Sequence, residues 1–170
     1  GNWRNILVIA AMAFVVVLPQ LIFWKVNTGS WFFYTYGEEG FFFNNPQIIR
    51  GLFSYRKGWL IYTPVMIFAL IGIFSLRKKA ASFFVPVLIF MLINIYVIFS
   101  WWDWSYGGSF GARPMIDSYG FMALGLAAFT DQVFDRKRLL GNLLQVVMVV
   151  LMAFNIFQML QYKYATIHYA

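Results

Sequence analysis

Long apolar runs broken by short basic turns dominate the pattern along the chain. A helix needs about 20 apolar residues to cross a bilayer core roughly 30 Å thick. Five runs come close to or reach that length: roughly Ile6 to Trp24, Trp59 to Leu76, Ala81 to Trp101, Pro114 or Met115 to Phe134, and Leu139 to Leu160. The runs are continuous and do not alternate with a period of two, which predicts helices and not barrel strands. The expected fold is all-α. It is a polytopic transmembrane helix bundle of about five spans, with residues 1–170 forming a single membrane-embedded helical domain.

Basic residues in the short turns set the expected orientation. Arg77, Lys78 and Lys79 separate the second and third runs, Arg136, Lys137 and Arg138 separate the fourth and fifth, and Arg4 precedes the first. If all five runs span, these places share one side, predicted to be cytoplasmic. The opposite side then holds the loop from Lys25 to Gly58, the loop from Trp101 to Arg113, and the tail from Gln161. Pro19, Pro64 and Pro86 fall inside runs, where neighbouring helices or local distortion can satisfy the freed carbonyls; simple kinks are the plainest reading.

Composition sharpens this picture. Hydrophobic residues make up 62% of the chain and charged residues 11%, against about 45–50% and 25% in soluble domains. Neither a water-soluble globule nor a disordered chain fits. There is no Cys and a single His, His168, so a thiol nucleophile and a Cys- or His-based metal site are not expected, and no cofactor is. The net charge of +7 sits at the ends of apolar runs. It points to lipid headgroups and topology, with no nucleic acid as partner. The chain opens on Gly1 and the first run is too long for a signal peptide; the expectation is a C-terminal fragment of a longer protein.

The first outer loop reads as partly structured. Asn45-Pro46 resembles a helix start, with Asn as N-cap and Pro in the first turn. Ile48, Ile49, Leu52 and Phe53 follow at helical spacing, which predicts a short interfacial helix. Trp31 to Tyr36 and Phe41 to Phe43 supply aromatics suited to headgroup depth. Arg56 and Lys57 are placed to meet a phosphate, or simply lipid headgroups. Glu38 and Glu39 read as a solvated turn, with a base or metal role as the other reading.

The second outer loop, Trp101-Trp-Asp-Trp-Ser-Tyr-Gly-Gly-Ser-Phe-Gly-Ala-Arg-Pro114, carries the strongest chemical signal. Its glycines free the backbone to present consecutive N–H groups to an anion. Arg113 offers a bidentate grip on phosphate or carboxylate, just before a helix start at Pro114. Trp101, Trp102, Trp104 and Tyr106 suit the face of a sugar ring or a prenyl chain. Asp103 and Asp117 are acids at the bilayer edge, where a carboxylate needs pairing or water. A structural salt bridge from either to Arg113 is the competing reading.

The stretch Tyr106-Gly-Gly-Ser-Phe-Gly-Ala-Arg-Pro114, opening a span after an aromatic outer loop, resembles the C-terminal half of bacterial polytopic glycosyltransferases of the GT-C type. These are relatives of protein O-mannosyltransferases and of the enzymes that add aminoarabinose to lipid A. Phe53-Ser-Tyr-Arg-Lys-Gly-Trp-Leu-Ile-Tyr-Thr-Pro64 looks like a segment common in the same group. The resemblance covers roughly Phe53 to Leu126. It implies a polyprenyl-phosphate-linked sugar donor, inverting transfer at the outer face of the bacterial inner membrane, and substrate contacts from Arg113, Arg56, Lys57, Trp101, Trp102, Asp103, Trp104, Tyr106, Gly108, Ser109 and Asp117. The family's catalytic acid sits in an N-terminal outer loop that nothing here matches, so no catalytic residue is assigned and the missing N-terminal half is an implied partner. The alternative is a non-enzymatic membrane subunit, a scaffold or transporter component. Its in-span amides Asn94, Asn142, Gln145, Asn155 and Gln158 would bond between helices or to a partner subunit.

Overall fold

The computed structural model describes residues 3–34, 36–134 and 138–167. Helices account for 72% of the described residues. Among the described residues the only strand-like feature is a single antiparallel bridge between Phe41 and Trp101. The all-α expectation therefore holds. Arg136 and Lys137 of the second basic turn, and His168, lie outside the described residues. The chain divides into two compact units, 1–39 and 40–170.

The first unit is one long helix, α1 (Trp3–Thr28), with a polar-capped end. Apolar residues cover every side of it, the pattern of a helix solvated by lipid. Its last turn is closed by side chains: Lys25 Nζ donates to Gly29 O at 2.6 Å and Thr28 Oγ1 to Trp24 O at 2.8 Å. Beyond it Glu38 and Glu39 lie in a turn closed by Glu39 N donating to Tyr36 O at 2.9 Å, with Glu38 exposed.

The second unit contains α2 (Ile48–Phe53), α3 (Trp59–Tyr62), α4 (Met66–Lys79), α5 (Ala81–Ile98), a 3-10 helix (Arg113–Ser118), α6 (Tyr119–Phe134) and α7 (Arg138–Lys163). Among the described residues three helices are long and apolar enough to cross a membrane by length and composition: α1, α5 and α7 from Leu139. The other two apolar runs fold as broken helices. The run from Trp59 splits into α3 and α4 around Thr63-Pro64, and the run from Pro114 opens as the 3-10 helix before α6 begins at Tyr119.

The break at Pro64 is repaired from a distance. Pro64 has no N–H to donate and leaves α3 carbonyls without helical partners. Asn155 Nδ2 of α7 donates to Tyr62 O, and Gln158 Nε2 to Ile61 O at 3.5 Å. Amide side chains in the fifth run thus satisfy the backbone that the second run exposes, the way broken helices persist in lipid.

The core forms where α4 and α6 approach closely. Gly72 and Gly125 face each other's backbones: a Cβ on Gly72 would strike Gly125 O, and one on Gly125 would strike Ala69 O. Small residues let helices pack without a hydrophobic drive between them. Ala69, Ile73, Leu76, Val87, Met91, Phe99, Met115 and Met122 fill the surroundings. Ser75 Oγ donates to Gln132 Oε1 at 2.6 Å, and Lys79 Nζ pairs with Asp131 at 2.6 Å, at the basic-turn end of the same contact.

The short helix α2 begins later than its predicted cap. Gln47 stands at the N-cap of α2, and Asn45 instead accepts a hydrogen bond from Gln47 Nε2 at 3.2 Å. Its apolar positions divide in two. Ile48 and Leu52 pack on the core with Gly51, whose missing side chain admits the Phe99 ring, while Ile49 and Phe53 are exposed.

Candidate functional site

Two loops 50 residues apart in sequence meet at one end of the second unit. Backbone bonds lace the approach to α2 against the end of α5: Trp102 N donates to Gly40 O at 2.9 Å, Phe42 N to Ser100 O at 2.6 Å, and Gln47 N to Phe99 O at 2.7 Å. Tyr96 Oη donates to Phe43 O at 2.8 Å. Trp101 stands edge-on to Phe41, ring centroids 4.9 Å apart. Phe41 of the first loop therefore meets Trp101 of the second here.

The turn after α2 sets the next group. Arg56 N donates to Ser54 Oγ at 3.1 Å and Gly58 N to Ser54 O at 2.7 Å. A Cβ on Gly58 would stand 2.5 Å from that same Ser54 oxygen, so the tight turn requires glycine. The turn points Lys57 inward and leaves Arg56 exposed. Lys57 is 3% exposed, and its ammonium donates to Ser109 O of the second loop. Burial and the neighbouring Arg56 charge lower its pKa, with Asp103 acting in the opposite sense. In this arrangement Lys57 adds a buried side-chain tie to the backbone bonds between the two loops.

The glycine-rich turn builds an anion nest, and Asp103 fills it. Tyr106 and Gly107 both take positive φ, 54° and 61°. Gly107 N donates to Asp103 Oδ2 at 2.8 Å, and Ser105 donates to Oδ1 from its amide at 3.1 Å and its hydroxyl at 2.5 Å. Partial burial pushes the Asp103 pKa up. The Ser105 and Gly107 hydrogen bonds and the charge of Arg56 outweigh burial and hold it below its ordinary value. The Gly107 N–H, one of those expected to face an external anion, is thus occupied by the loop's own carboxylate. Tyr106 Oη donates to Ile98 O at 2.6 Å; burial and then the Asp103 charge raise its pKa to about 12.

Arg113 and Asp117 stand outside this network. Both are exposed, and among the described residues neither forms an ion pair, so the salt bridge from Asp103 or Asp117 to Arg113 is absent there. Pro114 falls in the first turn as expected, but the helix it opens is a six-residue 3-10 segment. The aligned dipole of α6 starts only at Tyr119, which weakens its pull on an anion beside Arg113. Trp102 and Gly108 are exposed, Trp104 is half-buried, and Ser109 is buried with its Oγ donating to Gly111 O at 3.3 Å.

Residues from α3 and α7 complete the site. Phe110 packs edge-on against Tyr62 at 5.3 Å and against Tyr162 at 5.7 Å, and Tyr162 Oη donates to Gly108 O at 3.4 Å. Gly111 has φ 54° and lies against Tyr62, 3.0 Å from where a Cβ would sit. Tyr62 and Tyr162 were visible in sequence only as aromatic residues near run ends. Among the described residues no group of three His, Cys, Asp or Glu side chains is placed to hold a metal.

The site therefore combines an internally neutralised turn, an exposed Arg56 and Arg113, and an aromatic surround. It can bind an anion through an exposed guanidinium and stack a flat or apolar group on an exposed ring such as Trp102. Comparison with known proteins adds no relative: no protein family, curated protein or solved structure matches the chain.

Proposed function

We propose that the chain is the membrane part of a glycosyltransferase that takes a polyprenyl-phosphate-linked sugar at the outer face of the bacterial inner membrane. The observation that carries the reading is the exposed Arg113 at the end of a loop whose Asp103 carboxylate is already satisfied by its own turn, with a second exposed guanidinium, Arg56, on the loop bonded to it. A carboxylate held by its own turn leaves a nearby arginine to an incoming phosphate. Trp102 and Trp104 would flank the sugar or the first prenyl units, and Arg113 would stabilise the departing lipid phosphate. The general base would come from elsewhere in the parent enzyme.

Five crossings and an interfacial α2 belong to this reading. Support comes from parity. The loop at 40–58, the loop at 99–113 and the end of α7 share bonds at one end of the unit. If α5 crosses, then α3–α4 must cross in the opposite sense, and so must the 3-10 helix with α6 if α7 crosses. The exposed Ile49 and Phe53 give α2 an apolar face for lipid.

The test is polyprenyl phosphate binding by the full chain in lipid nanodiscs. Arg113→Ala is expected to weaken it about 10- to 100-fold, the loss of a charge-assisted hydrogen bond, and to abolish sugar transfer without lowering the melting temperature. Unchanged binding and transfer would rule out the phosphate role. A second reading, a non-enzymatic scaffold or transporter subunit, is favoured by one feature. Exposed Asn142 and half-buried Gln145 line a groove on α7, where amides facing lipid would bond to a partner helix. Stoichiometric loss of a co-purifying membrane protein in Asn142→Leu, with phosphate binding indifferent to Arg113, would select that reading.

A further inference from the structure

A cavity lies away from the aromatic loops, at the basic-turn end of the α4–α6 contact. Its volume is about 680 Å³, within the usual range of roughly 300–1,000 Å³ for small-molecule sites. Phe68, Ile71, Ser75 and Lys78 follow one another along one stripe of α4, at the spacing of successive helical turns. Phe129 and Val133 of α6 and Leu144 of α7 complete the apolar wall. Phe68 and Phe129 stack with centroids 4.9 Å apart.

The two ends of this cavity differ in chemistry. One is aromatic and aliphatic. The other carries the Ser75–Gln132 hydrogen bond, the Lys79–Asp131 ion pair and Lys78. Lys78 is exposed and forms no ion pair among the described residues. A polar pair, a neutralised pair and one unspent cation above an apolar slot complement an amphiphile with a single anionic head. Basic pockets between helices on the cytoplasmic side are suited to anionic lipid headgroups, and that leaflet supplies them.

We propose that this cavity is a binding site for an anionic phospholipid, with an acyl chain along Phe68, Ile71 and Phe129 and the headgroup phosphate on Lys78. The site is separate from the loop that carries Arg113. It rests on the chain spanning a membrane and not on the transfer reading. The lipid fills the space beside the α4–α6 contact and so braces the bundle at its basic end.

Native mass spectrometry of the full chain, released from nanodiscs of phosphatidylcholine and phosphatidylglycerol, tests this. The wild-type chain is expected to retain phosphatidylglycerol in preference to phosphatidylcholine. Lys78→Gln should reduce retention about tenfold, and Ile71→Trp, which fills the slot, should abolish it. Arg77→Gln removes an equal charge one residue away. Arg77 lies over the Phe84 ring at 5.4 Å and does not line the cavity, so this variant should behave as wild type. Equal losses for Arg77→Gln and Lys78→Gln would overturn the site in favour of diffuse surface attraction. Retention of both lipids alike would reduce it to an apolar cleft, and competition by glycerol phosphate as strong as that by the lipid would make it a free-anion site. Either result refutes the proposal, as does indifference to both Lys78→Gln and Ile71→Trp. Lys78 is exposed at a helix end, so its replacement leaves the fold to report on binding.

Discussion

Asp103 illustrates how a short motif can be read correctly for its chemistry and wrongly for its occupant. The glycines after it were expected to offer N–H groups to an anion, and they do; the anion is the side chain four residues back from Gly107. The distinction depends on φ at Tyr106 and Gly107, which residue types suggest but do not determine. Lys57 repeats the lesson, since its burial under the second loop requires a contact 52 residues along the chain. The pH dependence follows from the lowered Asp103 pKa. The folded state holds this proton more weakly than the unfolded chain, whose value is near the ordinary 3.8. Its stabilisation is therefore complete above that value and is lost as pH falls through the lower folded value. Melting temperatures in detergent between pH 6 and 3 should fall for wild type and change less for Asp103→Asn, which should already be about 1–2 kcal/mol less stable at pH 7. Gly107→Ala tests the backbone separately. A Cβ at φ 61° costs roughly 1–2 kcal/mol, and the variant should retain the acid response that Asp103→Asn loses.

At the scale of elements, apolar runs were legible and their internal breaks were not. Pro64 marks a discontinuity in the second run, yet the groups that make it tolerable, Asn155 and Gln158, lie 93 and 97 residues beyond the carbonyls they bond, those of Tyr62 and Ile61. Hydropathy treats those amides as polar blemishes in a span. In the structure they bond to carbonyls that Pro64 leaves over. Asn155→Leu keeps the size and apolar match to lipid while deleting the donor. It is expected to cost about 1–2 kcal/mol, the upper part of what interhelical hydrogen bonds contribute in membranes. Hydrogen exchange at α3 should rise with it. The α4–α6 contact makes the complementary case. Gly72 and Gly125 carry no sequence signature beyond being small, and their pairing emerges only when both helices are in place. Gly72→Leu should separate the helices and lower stability by about 1–3 kcal/mol or more, the usual range for overpacking. Gly120→Ala, on the same helix as Gly125 but with open space where its Cβ would go, should be neutral or gain up to about 1 kcal/mol from helix propensity.

Across the whole molecule, parity separates two topologies that length alone leaves equivalent. Three helices pass a simple test of span length, and five runs were expected from sequence. With three crossings, the segment from residue 29 to 80 would stay on one side of the membrane and the loop at 99–113 on the other. The bonds from Lys57 to Ser109, Gln47 to Phe99 and Phe42 to Ser100 join those two segments directly, and hydrogen bonds of that kind cannot reach through a hydrocarbon core. Those bonds favour the five-crossing topology proposed above, in which the broken helices cross as well. The chain contains no cysteine, so single cysteines can be introduced at exposed positions without background. Tyr55→Cys, Gly108→Cys and Tyr164→Cys should all react with a membrane-impermeant maleimide added to intact cells or spheroplasts, and Lys78→Cys should react only after permeabilisation. Labelling of Tyr55→Cys with protection of Gly108→Cys would instead select three crossings. That outcome would also remove the outward-facing arginine loop on which phosphate binding depends, whereas the opposite pattern at all four positions would invert the bundle and place the anionic-lipid cavity in the outer leaflet.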